Sequence, residues 1–160
     1  MSMRCALIFA CLSFNVAGCS EVDTRDASGE ASTHRAAVER AFAEWSDGTG
    51  SPFELLADDM RWTVIGSSPT AGTYDRTGFD ALVKPFNGRL SGPLKPVRWQ
   101  SVASEDIVMI HFTARAPLNT GELYENEYAW IFRFEGNEVV DVRAFLDLPK
   151  FERALSGQSL

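Results

Sequence analysis

The run Tyr124-Glu125-Asn126-Glu127-Tyr128-Ala129-Trp130 sets two phenols, a carboxamide and an indole at every second position. Successive side chains of an extended chain point to opposite faces, so Tyr124, Asn126, Tyr128 and Trp130 share one. Hydroxyls and an amide set in an apolar surface are the handles with which small molecules are held and oriented. The other residues able to do chemistry are scattered. His34 and His111 stand far apart, and all three cysteines (Cys5, Cys11, Cys19) fall in the first nineteen residues, so no metal-ligand spacing exists and no metal is expected. Asp141, Arg143 and Asp147 alternate onto one face, where ion pairs on an outer surface are the ordinary outcome, and Asp147 is also placed to cap a terminal helix. Gly66-Ser67-Ser68 lacks the glycine that a nucleophile elbow needs two residues after its serine. Gly48-Thr49-Gly50 lacks the lysine and spacing of a phosphate loop, and no cofactor is expected.

These side chains are positioned by the strongest strand signal in the chain. Alternation runs from Leu123 to Phe134, with Phe132 and Phe134 extending the aromatic face, and Glu135-Gly136-Asn137 turns the chain into a second strand ending near Asp147. So large an aromatic face must be covered. Before the hairpin, Val38, Ala41, Phe42 and Trp45 recur at helical spacing after a helix start near Thr33, with His34 read as solvated. Ser51-Pro52-Phe53-Glu54 resembles a capping box and predicts a short helix to Asp59. A short strand follows at Arg61–Gly66, then a loop over Ser67–Thr73. A third helix, capped around Thr77, carries Phe79, Leu82, Val83 and Phe86, with Pro85 expected to kink or end it. Strands are expected over Pro96–Ala103 and Ile107–Ala116, the latter burying Val108, Ile110, Phe112 and Ala114 and turning His111, Thr113 and Arg115 the other way. His111 is therefore read as a surface or dimer-interface residue, since a catalytic base needs a cavity around it.

The composition, 45% hydrophobic and 23% charged over 160 residues, is that of one globular domain. A formal charge of −7 disfavours nucleic acid as a partner. Residues 1–18 have a positive start at Arg4, an apolar run from Cys5 to Phe14 and small residues at the end, the layout of a secretory signal peptide. Losing them would remove only Arg4 among charged residues and take the formal charge from −7 to −8. Val16-Ala17-Gly18-Cys19 resembles a bacterial lipobox, which implies lipidation at Cys19; an ordinary cleaved signal with a chance cysteine is the plainer alternative. The expected location is exported and lipid-anchored on the periplasmic side, with Ser20 after the cysteine suggesting the outer membrane by the same resemblance. Residues 19–32, small and polar, read as a flexible tether, leaving residues 33–160 as the domain.

Further resemblance lies in Leu56-Ala57-Asp58-Asp59 leading into Trp62, in Gly66-Ser67-Ser68-Pro69 and Ala71-Gly72-Thr73-Tyr74, in Tyr124-x-Asn126-x-Tyr128-x-Trp130, and in Ala144-Phe145-Leu146-Asp147. Together with the element order, these resemble the NTF2-like superfamily, in its SnoaL-like, ketosteroid-isomerase-related branch, over about residues 34–155. The resemblance implies an α+β fold, a cone-shaped, strongly curved antiparallel sheet packed on three N-terminal helices, with a pocket at the wide end and frequent homodimers. The ketosteroid isomerases' general base and their oxyanion-hole Asp and Tyr would fall at Val64, Trp130 and near Phe42; none of these can do that chemistry. Val142–Leu148 resembles limonene epoxide hydrolases, whose carboxylates and bridging Arg would fall at Ala114, Ala144 and Phe112. No base to activate a water remains at these positions.

The aromatic face has two readings, a filled core or a ligand cavity. On the second, Trp62, Tyr74, Phe112, Tyr124, Asn126, Tyr128 and Trp130 are the expected ligand-binding residues, with Tyr74 closing the mouth, and the partner is a small apolar or aromatic molecule. The alternatives are an isomerase, cyclase or hydrolase of the same fold drawing on Tyr124, Tyr128 or Asp147, and a non-catalytic dimeric interaction module.

Overall fold

A computed structural model describes residues 24–160. The signal peptide, the lipidation site at Cys19 and the first residues of the tether lie outside the described residues. Helix α1 (Thr24–Asp47) starts nine residues before the expected Thr33, so most of the segment read as a flexible tether is helical. Two observations explain the extension. Ala31 and His34 continue the buried stripe of Val38, Ala41 and Phe42 back by two turns, and Thr33 donates its hydroxyl to the Gly29 carbonyl four residues earlier, which is behaviour of a helix interior. His34 is accordingly buried, 8% exposed, where it was expected in solvent. Its ring stacks on Phe134 with centroids 4.2 Å apart, and its Nε2 bonds the Gly136 carbonyl at 2.8 Å.

The short helix expected after Ser51 is a single 3-10 turn at Pro52–Leu55. Ser51 Oγ accepts from the Phe53 amide as the cap motif requires, but strand β1 (Leu56–Val64) takes over at once, because Leu56, Ala57, Met60, Trp62 and Val64 all have sheet or core to pack against. Pairing outweighs the cap. A three-residue strand, β2 (Gly72–Tyr74), lies in the stretch read as loop and pairs antiparallel with β1. Helix α2 (Arg76–Asn87) is capped by Asp75, whose carboxylate accepts from the Gly78 amide at 2.7 Å; the expected cap near Thr77 is two residues late. Pro85 sits inside its last turn, and the helix closes only when the Gly88 amide donates to Lys84 O. A proline that late removes few ladder bonds, and Phe79 and Phe86 anchor the helix on either side of it.

Strands β3 (Lys95–Ser104), β4 (Ile107–Pro117), β5 (Leu123–Glu135) and β6 (Glu138–Leu146) complete one curved sheet of order β2-β1-β6-β5-β4-β3. Every pairing is antiparallel except β1 with β6. Register shifts interrupt β1–β6, β3–β4 and β5–β6, and such bulges increase local bend and twist. The β5–β6 hairpin closes through Gly136-Asn137 between paired Glu135 and Glu138, with Gly136 at φ +60°, the first-position glycine of a type II′ turn. Helix α3 (Leu148–Ser156) starts at an Asp147 cap, as expected, and ends at Gly157 in the left-handed region.

The α+β curved sheet with helices on its concave side is therefore as expected from the sequence. Along β5 the alternation is complete: Tyr124, Asn126, Tyr128, Trp130, Phe132 and Phe134 are all buried. Helix α1 crosses that face with Val38 and Phe42, fixed to β3 by an Arg35–Glu39–Ser101 cluster in which Ser101 donates to Glu39 at 2.6 Å. The opposite face carries ion pairs Arg61–Asp141 and Arg115–Glu125, and His111 Nε2 lies 3.1 Å from a Glu127 carboxylate oxygen. His111 lies there, as its alternation required.

Candidate ligand cavity

The helices do not fill the cone. Between α2, α3 and the inner face of the sheet lies a cavity of about 300 Å³, at the small end of the range that holds small molecules. Trp62 and Val64 come from β1, Tyr128 and Trp130 from β5, and Ala144 and Leu146 from β6, each on the inward half of its strand. Phe79, Leu82, Val83 and Phe86 face it from α2; Leu148 and Phe151 come from α3. Trp45 and Phe53 close the side toward α1, while Thr70, Asn87 and Pro93 supply its more polar edge. None of the lining residues is Asp, Glu, His, Lys or Arg.

The aromatic side chains pack edge to face. Trp130 meets Trp62 at 4.9 Å and Phe112 at 4.7 Å, with interplanar angles of 83° and 79°, while Trp62 leans on Phe79 at 4.4 Å. Such pairs are worth on the order of 1 kcal/mol each beyond burial, so the wall holds its shape when empty.

Of the seven expected binding residues, the structure puts Trp62, Tyr128 and Trp130 on the cavity wall. The other four stand behind it or beside it. Phe112 is fully buried and stacks under the Tyr128 ring at 4.8 Å; a strand residue of the right parity on β4 lies one layer deeper than its β5 neighbours because α1 covers it through Phe42. Tyr124 belongs to a second cluster with Phe86, Phe151 and Leu118. Asn126, 2% exposed, lies between Tyr124 and the start of α3. Tyr74 is off the wall as well, but its hydroxyl donates to the Thr70 carbonyl at 2.8 Å and holds the loop that contributes Thr70 to the edge. Glu152 on α3 grips the same loop, accepting from the Thr70 hydroxyl at 2.8 Å and the Thr70 amide at 3.3 Å, which holds its carboxyl below the usual range.

Behind the wall a polar chain runs through apolar surroundings. Asn126 Oδ1 accepts from the amides of Glu127 and Asp147, and its Nδ2 donates to the Asp147 carbonyl and to Tyr124 Oη. Tyr124 Oη and Tyr128 Oη are 2.8 Å apart. Burial pushes the Tyr124 phenol up to about 12 against the lowering effect of its hydrogen bonds with Tyr128 and Asn126. Burial, then the neighbouring Tyr124, raises the Tyr128 phenol well above its usual value. Both are neutral at physiological pH.

The wall residues missed from sequence are those of the three helices, together with Phe53, Leu146 and the edge residues Thr70, Pro93 and Leu94. Phe79, Leu82, Val83 and Phe86 were legible as one apolar helix face, but helical spacing says only that a face is buried, not whether a void remains opposite. Of the positions where the sequence resemblance would put acids, Val64, Trp130 and Ala144 are on the wall and Ala114 is sealed in the core.

No family model matches the sequence, and no curated protein matches it. Solved structures do. Bal32a, from a soil-derived mobile gene cassette, is 24% identical with a TM-score of 0.63 over 79% of this chain and 98% of its own. An NTF2-like protein of unknown function from Burkholderia pseudomallei is 19% identical, TM-score 0.60, over 77% of this chain and 97% of its own. The fold is NTF2-like. AclR from Streptomyces galilaeus, a proposed hydroxylase, shares this NTF2-like fold at 14% identity and a TM-score of 0.64, over 81% of this chain and 99% of its own. Among the described residues there is no group of acidic, histidine or cysteine side chains that would hold a metal, and no helix long and apolar enough to cross a membrane.

Proposed function

We propose that this domain binds a small apolar or aromatic molecule in the cavity between its sheet and helices α2 and α3. The observation that carries the reading is a void of about 300 Å³ walled by Trp62, Trp130, Phe79 and Phe151 without one charged side chain. An apolar space of that size is paid for in lost packing, so a fold without a ligand would be more stable filled. Acid–base chemistry on this wall has only the neutral Tyr128 phenol to draw on, which favours binding over the hydrolase and isomerase chemistry of related folds. The test is titration with N-phenyl-1-naphthylamine, a neutral dye that brightens in apolar sites. One saturable site per chain is expected, lost in Ala144→Phe, whose ring would occupy the void. Dye binding equal in the two proteins places the site elsewhere and sinks the reading.

The exported, lipid-anchored setting is part of the same proposal and is supported by the Arg4 start, the apolar run and the Val16–Cys19 lipobox resemblance. Intact mass checks it: wild type should carry acyl chains that Cys19→Ala lacks. Pairing of two copies through the outer face of the sheet is supported by exposed Val102, Met109 and Phe145 on that face, and light scattering should give twice the chain mass.

A further inference from the structure

The hydrogen atoms of the buried polar chain can be counted, and the count leaves one without a partner. Asn126 is fixed in orientation, because its Oδ1 faces two backbone amides and its Nδ2 faces the Asp147 carbonyl. Its remaining Nδ2 hydrogen therefore goes to Tyr124 Oη, 2.8 Å away. Tyr124 Oη then has its own hydrogen to place, and the single acceptor within reach among the described residues is Tyr128 Oη. That bond uses the Tyr124 hydrogen. Running it the other way would strand the Tyr124 hydrogen in a fully buried position, facing a donor. So Tyr128 accepts from Tyr124, and the Tyr128 hydrogen meets no described acceptor. Tyr128 lines the cavity, whereas Tyr124 does not.

The rest of the wall has the same bias. No described residue accepts from the indole N–H of Trp62 or Trp130. Among the described residues only His34 Nδ1 and Arg153 Nε are sealed without a partner, so both indole nitrogens keep some accessible surface. The Thr70 hydroxyl is already committed to Glu152. Apart from the exposed Asn87 amide at the rim, the side chains of the wall thus offer donors and no charge.

We infer that Tyr128 is the anchoring donor of the cavity and that the ligand is a neutral apolar molecule carrying a carbonyl-type acceptor oxygen, with Asn126 and Tyr124 as positioning residues that aim the Tyr128 hydrogen inward. A charged ligand would lose its hydration with no counter-charge to replace it, and a pure hydrocarbon would leave the Tyr128 hydrogen unpaired. This rests on the cavity-binding reading above. The neutrality of both phenols keeps the donor present across the physiological pH range.

The test compares 9-fluorenone with fluorene, the same ring system with and without the carbonyl, by tryptophan quenching of the full chain. Wild type should prefer fluorenone about fivefold, the effect of one neutral hydrogen bond. In Tyr128→Phe the ratio should fall to near one. The carbonyl stretch of bound fluorenone should lie below its value in hexane, and lower still when the tyrosines are replaced biosynthetically by 3-fluorotyrosine, a stronger donor. In Tyr124→Phe the stretch should move back toward the hexane value, because the phenol is no longer aimed. If both probes bind wild type equally, or the preference survives in Tyr128→Phe, the donor assignment is wrong while the cavity reading stands. If neither probe binds, the cavity reading fails and this inference with it. Should Tyr128→Phe not fold, a carbonyl stretch indifferent to 3-fluorotyrosine overturns the assignment by itself.

Discussion

Replacing Asn126 by alanine tests whether the polar chain behind the cavity is a fixed structural unit. The side chain makes four bonds, to Glu127 N at 2.8 Å, Asp147 N at 3.2 Å, Asp147 O at 3.0 Å and Tyr124 Oη at 2.8 Å. The Glu127 bond is to the next residue on the strand, and Asp147 itself is exposed, so water can take over part of what its backbone loses. The Tyr124 hydroxyl and the more sheltered of the Asp147 groups cannot be rescued so easily. Two stranded partners at about 1–1.5 kcal/mol each give about 2–3 kcal/mol, before any void left by the side chain. At a urea slope of about 2 kcal/mol per molar, the midpoint should fall by about 1–1.5 M with the slope unchanged. Tyr124→Phe should cost about 1 kcal/mol, and the double variant should fall short of the sum by about that amount, because both changes break the same bond. The reasoning fails if the Asn126→Ala midpoint moves by less than about 0.3 M, or if the two costs add.

Three further outcomes are expected. The Glu152 carboxyl is held below its ordinary value by its bond from Thr70, then by that from Ser68, so its grip on the Thr70 loop is complete above about pH 4.5 and lost as pH falls through the lowered value; protection of the Ala71 and Gly72 amides, taken relative to the intrinsic exchange rate at each pH, should fall in acid, and in Glu152→Gln the dependence should flatten. Tyr124 and Tyr128 both have raised phenol values, so their contribution is intact below about pH 10, and that of Tyr124 disappears as pH climbs through about 12; urea midpoints across that window should fall less steeply in Tyr124→Phe. Gly66→Ala should lower the melting temperature by several degrees, because the added Cβ would come within 2.4 Å of Leu148 Cδ1 at φ +155°. A melt equal to wild type would mean that Leu148 swings into the cavity.

The sheet was readable because alternation along β4 and β5 is strict and leaves each strand one choice of face. Helix ends were read less well where the deciding partner lies far along the chain. The start of α1 depends on His34 meeting Phe134 and Gly136 a hundred residues later, which no local pattern announces. The same is true of β1, whose first residue pairs with Val139 while its own sequence carries a helix cap signal. In the site, the aromatic face on β5 was visible, but depth was not. Period two cannot separate Tyr128 on the wall from Phe112 beneath it, since both point inward and only the covering helix decides which one keeps a surface.

Because β1 joins the sheet by lying alongside β6, the first half of the chain waits for the last. Until residues near Val139–Ala144 exist, β1 and the short strand hung on it have no edge to add to, and α1 has only the β3–β4 hairpin beneath its phenylalanine and tryptophan stripe. Closing that gap of some eighty residues costs chain entropy before any contact repays it. A ribosome-bound nascent chain ending at Gly121 should therefore remain protease-sensitive throughout, and acquire protection in one step when the final hairpin emerges.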